Sequence, residues 1–198
     1  MIAPQVGLIL LAAGESKRMG TPKQLLSYQG RSLIRHAAEE AVASNCNPIV
    51  VVLGAYSDRI SPELNNLLVH ICQNPDWKLG MSSSISLGIK ALTTIQSDIN
   101  AVVITLADQP FITATVYNRL IKRYLETGQK AVASIYANTI GVPALFDCAL
   151  FPKLRSKIEP GGAKQLLTNY SDFALNLNVP EAAIDIDTPA DFQNLLNS

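Results

Sequence analysis

The chain has 198 residues, 48% of them apolar and 16% charged, with 16 Lys and Arg against 16 Asp and Glu. That length suits a single domain over residues 1–198 with a substantial core, and the balanced charge argues against a nucleic-acid partner, which needs a basic surface to displace counterions. Cys46, Cys72 and Cys148 lie far apart with no CxxC or Cys/His grouping, no apolar run nears a membrane span, and no secretory pattern opens the chain, so disulfide, zinc, membrane and export readings give way to a cytoplasmic one.

An apolar run over residues 6–11 predicts a first strand. A helix is expected over 32–42, where Leu33, Ala37 and Ala41 share a face with Ile34, Ala38 and Val42. A second strand follows over 49–53. A short helix is expected over 61–68, with Ser61 as cap and Pro62 at the first helical position. The pattern then predicts a short strand over 69–72, a helix over 84–92 and a central strand over 101–106. A helix over 113–126 would be capped by Thr113 and stopped near Gly128. A further strand is expected over 131–136, and the less regular stretch 140–151 reads as a hairpin or insertion beside the main sheet. Thr188 and Pro189 mark the start of a closing helix. Alternating strands and helices imply a mostly parallel sheet covered on both faces. His36 falls in a helical pattern and His70 in a short strand, and both read as structural.

Between the first strand and the first helix runs Leu11-Ala12-Ala13-Gly14-Glu15-Ser16-Lys17-Arg18-Met19-Gly20-Thr21-Pro22-Lys23. Small residues let backbone N–H groups approach an anion, and Lys17, Arg18 and Lys23 can neutralise it. A solvated surface loop is the alternative, and Lys17 suits that role best. Gly14 and Gly20 are one residue too far apart for a P-loop, no Lys-Ser/Thr follows Gly20, and no G-x-G-x-x-G follows the strand, so the loop fits neither an ATPase nor a dehydrogenase. In open α/β sheets ligands collect beyond the carboxyl ends of the strands. The loop after Leu11, the segment after Cys72 and the Asp108 turn all leave such ends. Asp108 closes a strand before Gln109-Pro110; from the residue alone it is either a turn former or a metal-binding carboxylate.

Five segments in order carry a family resemblance: Leu11-Ala12-Ala13-Gly14-x-Ser16-x-Arg18-Met19-Gly20 with Pro22-Lys23; Gly80-Met81-Ser82-Ser83-Ser84; Asp108-Gln109-Pro110; Gly141-Val142-Pro143-Ala144-Leu145-Phe146; and Asp185-Ile186-Asp187-Thr188-Pro189-Ala190-Asp191. Together they resemble the nucleotidyltransferases that mature the molybdenum cofactor, the MobA-like NTP transferases, and above all the molybdenum cofactor cytidylyltransferases. The resemblance implies a three-layer, Rossmann-like α/β fold with a mostly parallel central sheet and a small antiparallel element. It implies transfer of CMP from CTP to the terminal phosphate of a molybdopterin-type cofactor, with pyrophosphate released and a molybdenum hydroxylase as eventual recipient. Arg18, Lys23 and Asp108 would be catalytic. Leu11, Ala12, Ala13, Gly14, Gly80, Met81 and Ser84 would join them in holding the nucleotide. Mg²⁺ would be bound by Asp108 and Asp187, with Asp185 an alternative second carboxylate; Asp185 and Asp187 point the same way if the stretch is extended.

The acceptor phosphate is already ionised at neutral pH, so alignment and charge stabilisation suffice without a strong general base. Guanylyltransferase relatives tend to carry Gly where Ala13 stands, which favours CTP over GTP; one methyl is worth only ~1–3 kcal/mol of discrimination. Gly161-Gly162-Ala163-Lys164 departs from the family's G-D-x-G-A-R, with Pro160 at the acidic position, where Glu159 is a possible substitute. That departure keeps two alternatives open, a nucleotidyltransferase for a sugar or alcohol phosphate and a non-catalytic cofactor carrier, while GTP stays the alternative donor.

Overall fold

The computed structural model describes residues 4–156, 167 and 174–197. The Glu159–Lys164 region lies outside them. Nine strands are described: β1 (Val6–Ala12), β2 (Ser27–Tyr28), β3 (Arg31–Ser32), β4 (Ile49–Leu53), β5 (His70–Gln73), β6 (Ala101–Leu106), β7 (Ala131–Tyr136), β8 (Thr139–Asp147) and β9 (Ala174–Asn178). The described helices are α1 (Leu33–Val42), α2 (Ser57–Ile60), α3 (Met81–Ile95), α4 (Ala114–Thr127), α5 (Phe151–Arg155) and α6 (Pro189–Leu196). No helix among these residues is long and apolar enough to cross a membrane.

Seven strands form one sheet in the order β5-β4-β1-β6-β8-β7-β9, while β2 and β3 make a separate antiparallel hairpin. In the large sheet β8 runs antiparallel to both neighbours, and the remaining pairings are parallel. Strands covered on both faces must be apolar on both, and β1 and β4 are buried at every residue. One face carries α1 and α4, which press Ile34, Ala38, Val116 and Leu120 onto Leu8, Leu10, Val51 and Val103. The other carries α3 and α5, with Ile85, Ile89, Leu92 and Leu154 against Ile9, Val50, Val52 and Val102. Gly88 lets α3 sit close: a Cβ there would come within 2.8 Å of Ile9. The result is the three-layer α/β arrangement.

Four elements depart from the sequence expectation. The stretch over 140–151 supplies β8, which enters the main sheet between β6 and β7 rather than lying beside it. Pro143 obscures this, because proline cannot donate to a ladder and argues against a central strand. Here Val142 and Pro143 fall where the register against β7 jumps from Ala133↔Ala144 to Ser134↔Gly141, so the ladder steps past them. The helix expected over 61–68 is α2 followed by a 3-10 turn over Ser61–Leu64, and Ser61 caps neither with its side chain. Helix α3 begins three residues before the expected start, directly after Gly80 at φ +97°. Strand β9 was not anticipated at all. By contrast, Thr188 caps α6 in a reciprocal box with Asp191, and Gly128 in the left-handed region ends α4.

Candidate active site

The order of the sheet fixes where a ligand sits. From β1 the chain goes to β4 and β5 on one side, whereas β6 lies on the other. The segments leaving β1 and β6 therefore part at a crevice beyond their carboxyl ends. A cavity of about 860 Å³ opens there, and Leu11, Ala12, Ala13, Gly14, Lys23, Gly80, Met81, Ser84, Asp108 and Asp187 all line it. Arg18 does not line it but reaches its rim through Asp187.

The loop after β1 is held by a residue that the sequence reading passed over. Gln24 is buried, and its Nε2 donates to Ala12 O at 3.1 Å and Gly14 O at 3.0 Å. Its Oε1 accepts from Ser16 Oγ at 3.3 Å, and Ser16 Oγ accepts from Lys23 N at 3.2 Å. One amide thus closes the loop on itself and sets the direction in which Lys23 leaves. A polar residue following a cation, just before Leu25-Leu26, was the available signal. Among the described residues Lys17 pairs with Glu15 at 3.3 Å and is exposed, the plain role expected for it.

Lys23 is the centre of the charged end. Its Nζ donates to Asp108 Oδ2 at 2.5 Å and to Asp187 Oδ1 at 2.7 Å. Arg18 donates to Asp187 Oδ2 at 2.5 Å. Asp108 reaches this point because β6 ends there, and Asp187 because the stretch before α6 runs beside it: Ile186 N donates to Asp108 O at 2.9 Å. Buried Ile186 packs with Met19, Tyr28, Leu33 and Leu195, which ties the basic loop to the C-terminal segment. Asp185 and Asp187 both face the cavity while Ile186 points away, as extended backbone requires. Gln109 braces the same turn, donating to Val142 O at 3.2 Å and Ala182 O at 3.1 Å. His36 is buried with Nε2 2.9 Å from Pro110 O, and His70 lies exposed on β5; neither lines the cavity.

Burial pushes the Asp108 carboxyl above the usual carboxylate range, against the pull of Lys23. Burial acts the same way on Asp187, but Lys23 and Arg18 outweigh it and hold that carboxyl low. Desolvation would depress Lys23, yet the two carboxylates overcome it and raise the ammonium above its ordinary value. Asp108 Oδ1 is buried and accepts no hydrogen bond among the described residues.

The other end of the cavity carries less charge and is closely packed. Ala13 O accepts from Ala55 N at 3.1 Å. Ser84 is buried, and its Oγ accepts from Asn74 Nδ2 at 2.9 Å. Trp77 and Lys78 line this end, with the Lys78 ammonium 5.5 Å from the centre of the indole ring. Asn74 and Trp77 were not among the residues expected from sequence, since a lone amide and a lone aromatic before Gly80 carry no spacing pattern.

A family model for the MobA-like NTP transferase domain matches residues 8–173. Over 202 residues the chain is 30% identical to the nicotine blue oxidoreductase of Paenarthrobacter nicotinovorans, covering 98% of this chain and 97% of that protein. It is 22% identical to the molybdenum cofactor cytidylyltransferase of Escherichia coli strain K12, across 94% of this chain and 93% of the other. A solved nucleotidyl transferase from Methanothermobacter superposes with a TM-score of 0.81 at 18% identity over 98% of both chains, a likeness of fold.

Proposed function

Because this chain belongs to the family of the MobA-like NTP transferase domain, we propose that it transfers CMP from CTP to the terminal phosphate of a molybdopterin-type cofactor, with Mg²⁺ bound at Asp108 and Asp187. A phosphate oxygen of the acceptor attacks the α-phosphorus, the bond from that phosphorus to the bridging oxygen breaks, and pyrophosphate leaves with the electron pair. The observation that carries this reading is the Lys23 ammonium held between Asp108 and Asp187 at 2.5 and 2.7 Å.

The donor set fits a small hard cation. Mg²⁺ takes one or two carboxylates and completes its shell with water and phosphate oxygens. Asp108 Oδ1, buried and without a hydrogen-bond partner among the described residues, is an oxygen of that kind. Locally, Arg18 and Lys23 face three carboxylates, Asp108, Asp185 and Asp187. A triphosphate would be repelled there unless a divalent cation tipped the balance. When bound, the metal supplies charge neutralisation for the phosphates and the leaving group. Lys23, with the carboxylates engaged by that ion, would donate to a phosphate oxygen instead. Arg18 offers a planar pair of donors at the rim, suited to bidentate contact. Gln24 holds the loop backbone that meets the phosphates, and Ala12, Ala13 and Ser84 meet the base.

The test is pyrophosphate release from CTP with Mg²⁺ and a molybdopterin-type cofactor, run beside GTP and a panel of sugar and alcohol phosphates. Release that needs both CTP and the pterin acceptor supports the reading. Release with another acceptor alone would replace the acceptor, and binding of the finished dinucleotide without release would make the protein a carrier. A second reading is favoured by the 30% identity to a protein named an oxidoreductase. In it the same cavity seats a dinucleotide reductant. Binding of reduced nicotinamide dinucleotides, with no binding of CTP, would decide for it.

A further inference from the structure

Ala13 offers more than one methyl group to the cavity, because the packing around it makes a larger structure. Gly54 lies directly behind it. A Cβ built on Gly54 would stand 2.6 Å from Ala13 O, 2.8 Å from Ala13 Cβ and 2.7 Å from Trp77 Cβ. Ala13 and Trp77 therefore converge on a single point that only a glycine leaves free. The Ala13 backbone cannot retreat, since its carbonyl is bonded to Ala55 N at 3.1 Å and β4 lies behind it.

Trp77 is fixed from its own side as well. Its turn begins at Asn74, whose buried side chain accepts from Asp76 N at 3.0 Å and donates to Ser83 Oγ and Ser84 Oγ, each at 2.9 Å. Ser83 Oγ in turn bonds Asp76 O at 3.0 Å and Gly80 O at 2.8 Å. The turn is pinned to the first turn of α3 on both sides of the indole, and Lys78 lies over the ring. A rigid wall rejects an oversized group that a yielding one would admit.

We infer that Trp77, wedged with Ala13 over Gly54, selects the nucleobase, closing that end of the cavity so that a pyrimidine fits and a purine does not. This rests on the nucleotidyl-transfer reading above. The indole supplies an apolar face for the base, and its position, rather than the Ala13 methyl alone, sets the room available.

Trp77 is the single tryptophan of the chain, so its emission reports the site directly. CTP, GTP and inorganic triphosphate are titrated with Mg²⁺ into the wild type, Trp77→Phe and Trp77→Ala, by calorimetry and, for the wild type, by fluorescence. CTP is expected to change the emission with the same midpoint as the calorimetric isotherm. Trp77→Ala should shrink the preference for CTP over GTP by at least about 10-fold, with inorganic triphosphate binding unchanged and Trp77→Phe close to the wild type. If Trp77→Ala fails to fold, the wild-type emission still decides. Calorimetric CTP binding with unaltered emission, an unchanged CTP:GTP ratio in folded Trp77→Ala, or a wild type that prefers GTP overturns the inference and leaves nucleotidyl transfer standing. Absence of any nucleotide binding overturns both.

Discussion

The two ends of the cavity are built on different physics. At the phosphate end, Lys23 meets Asp108 and Asp187 across 85 and 164 positions of chain, and Arg18 meets Asp187 across 169. Those contacts are ionic and partly exposed, and they can be exchanged for a metal and phosphates. At the base end, Ala13, Gly54, Asn74, Trp77 and Ser84 are joined by close packing and neutral hydrogen bonds. Nothing there has reason to move. If the proposed reaction holds, the contrast makes rate and selectivity separable: charge that must rearrange would govern turnover, and a fixed wall would govern which nucleotide enters.

The sharpest way to break this division is to remove a carboxylate. Asp108→Ala should lower pyrophosphate release by on the order of 10³-fold or more, with an unchanged circular dichroism spectrum, because it strips the metal site and leaves Lys23 with half its counter-charge. Turnover near wild type in a folded variant would end the assignment of Asp108. Lys23→Ala comes next, with kcat/KM down by on the order of 10²-fold. The preference for CTP over GTP should stay as it is, and a changed preference would show that the two ends are coupled.

Gln24→Leu probes the boundary between the ends. It frees the Ala12 and Gly14 carbonyls and loosens the loop that aims Lys23, so kcat/KM should fall by about 10-fold, in line with ~1–3 kcal/mol for buried polar groups left unpaired. Addition of the isosteric Gln24→Glu should not restore activity, since a carboxylate cannot donate to those carbonyls. Full activity in Gln24→Leu would show that the loop holds its shape without the amide.

The smallest effect is a pH dependence at the C-terminal helix. Asp191 accepts from Thr188 Oγ, Thr188 N and Asp187 N, and these bonds hold its carboxyl below the usual range. A depressed carboxyl contributes stability that is present above its unfolded pKa and is lost as pH falls through the folded one. Thermal melts of Asp191→Ala should therefore differ from wild type at neutral pH and converge on it in acid. A difference of constant size at every pH would place the effect elsewhere.

The same contrast explains what could be read in the sequence. Strands β4, β6 and β7 were legible to the residue because continuous apolar runs have one stable fate in a doubly covered sheet. The meeting of Arg18, Lys23, Asp108 and Asp187 was legible because they are chemically distinctive and sit in ordered motifs. The packed wall at the other end was not, since Gly54 and Trp77 acquire meaning only from a close approach between segments. Gln24 was hidden likewise, its three partners being set by the path of the loop. Strand β8 was misplaced because Pro143 looks like a break, and the register step that admits it is a property of the pair β7–β8. Strand β9 has only Leu175 and Leu177 alternating with Asn176 and Asn178, too short a pattern to stand apart from a loop.

The central claim is that cations from the loop after β1 and carboxylates from two distant segments share one metal-chelated triphosphate. Calorimetric titration of CTP into the wild type and Asp108→Asn, each with Mg²⁺ and with chelator, addresses it most directly. Wild-type binding is expected to be at least about 10-fold tighter with Mg²⁺, with no such gain in Asp108→Asn. Equal affinity with and without Mg²⁺ in the wild type, or an undiminished gain in the variant, would contradict it.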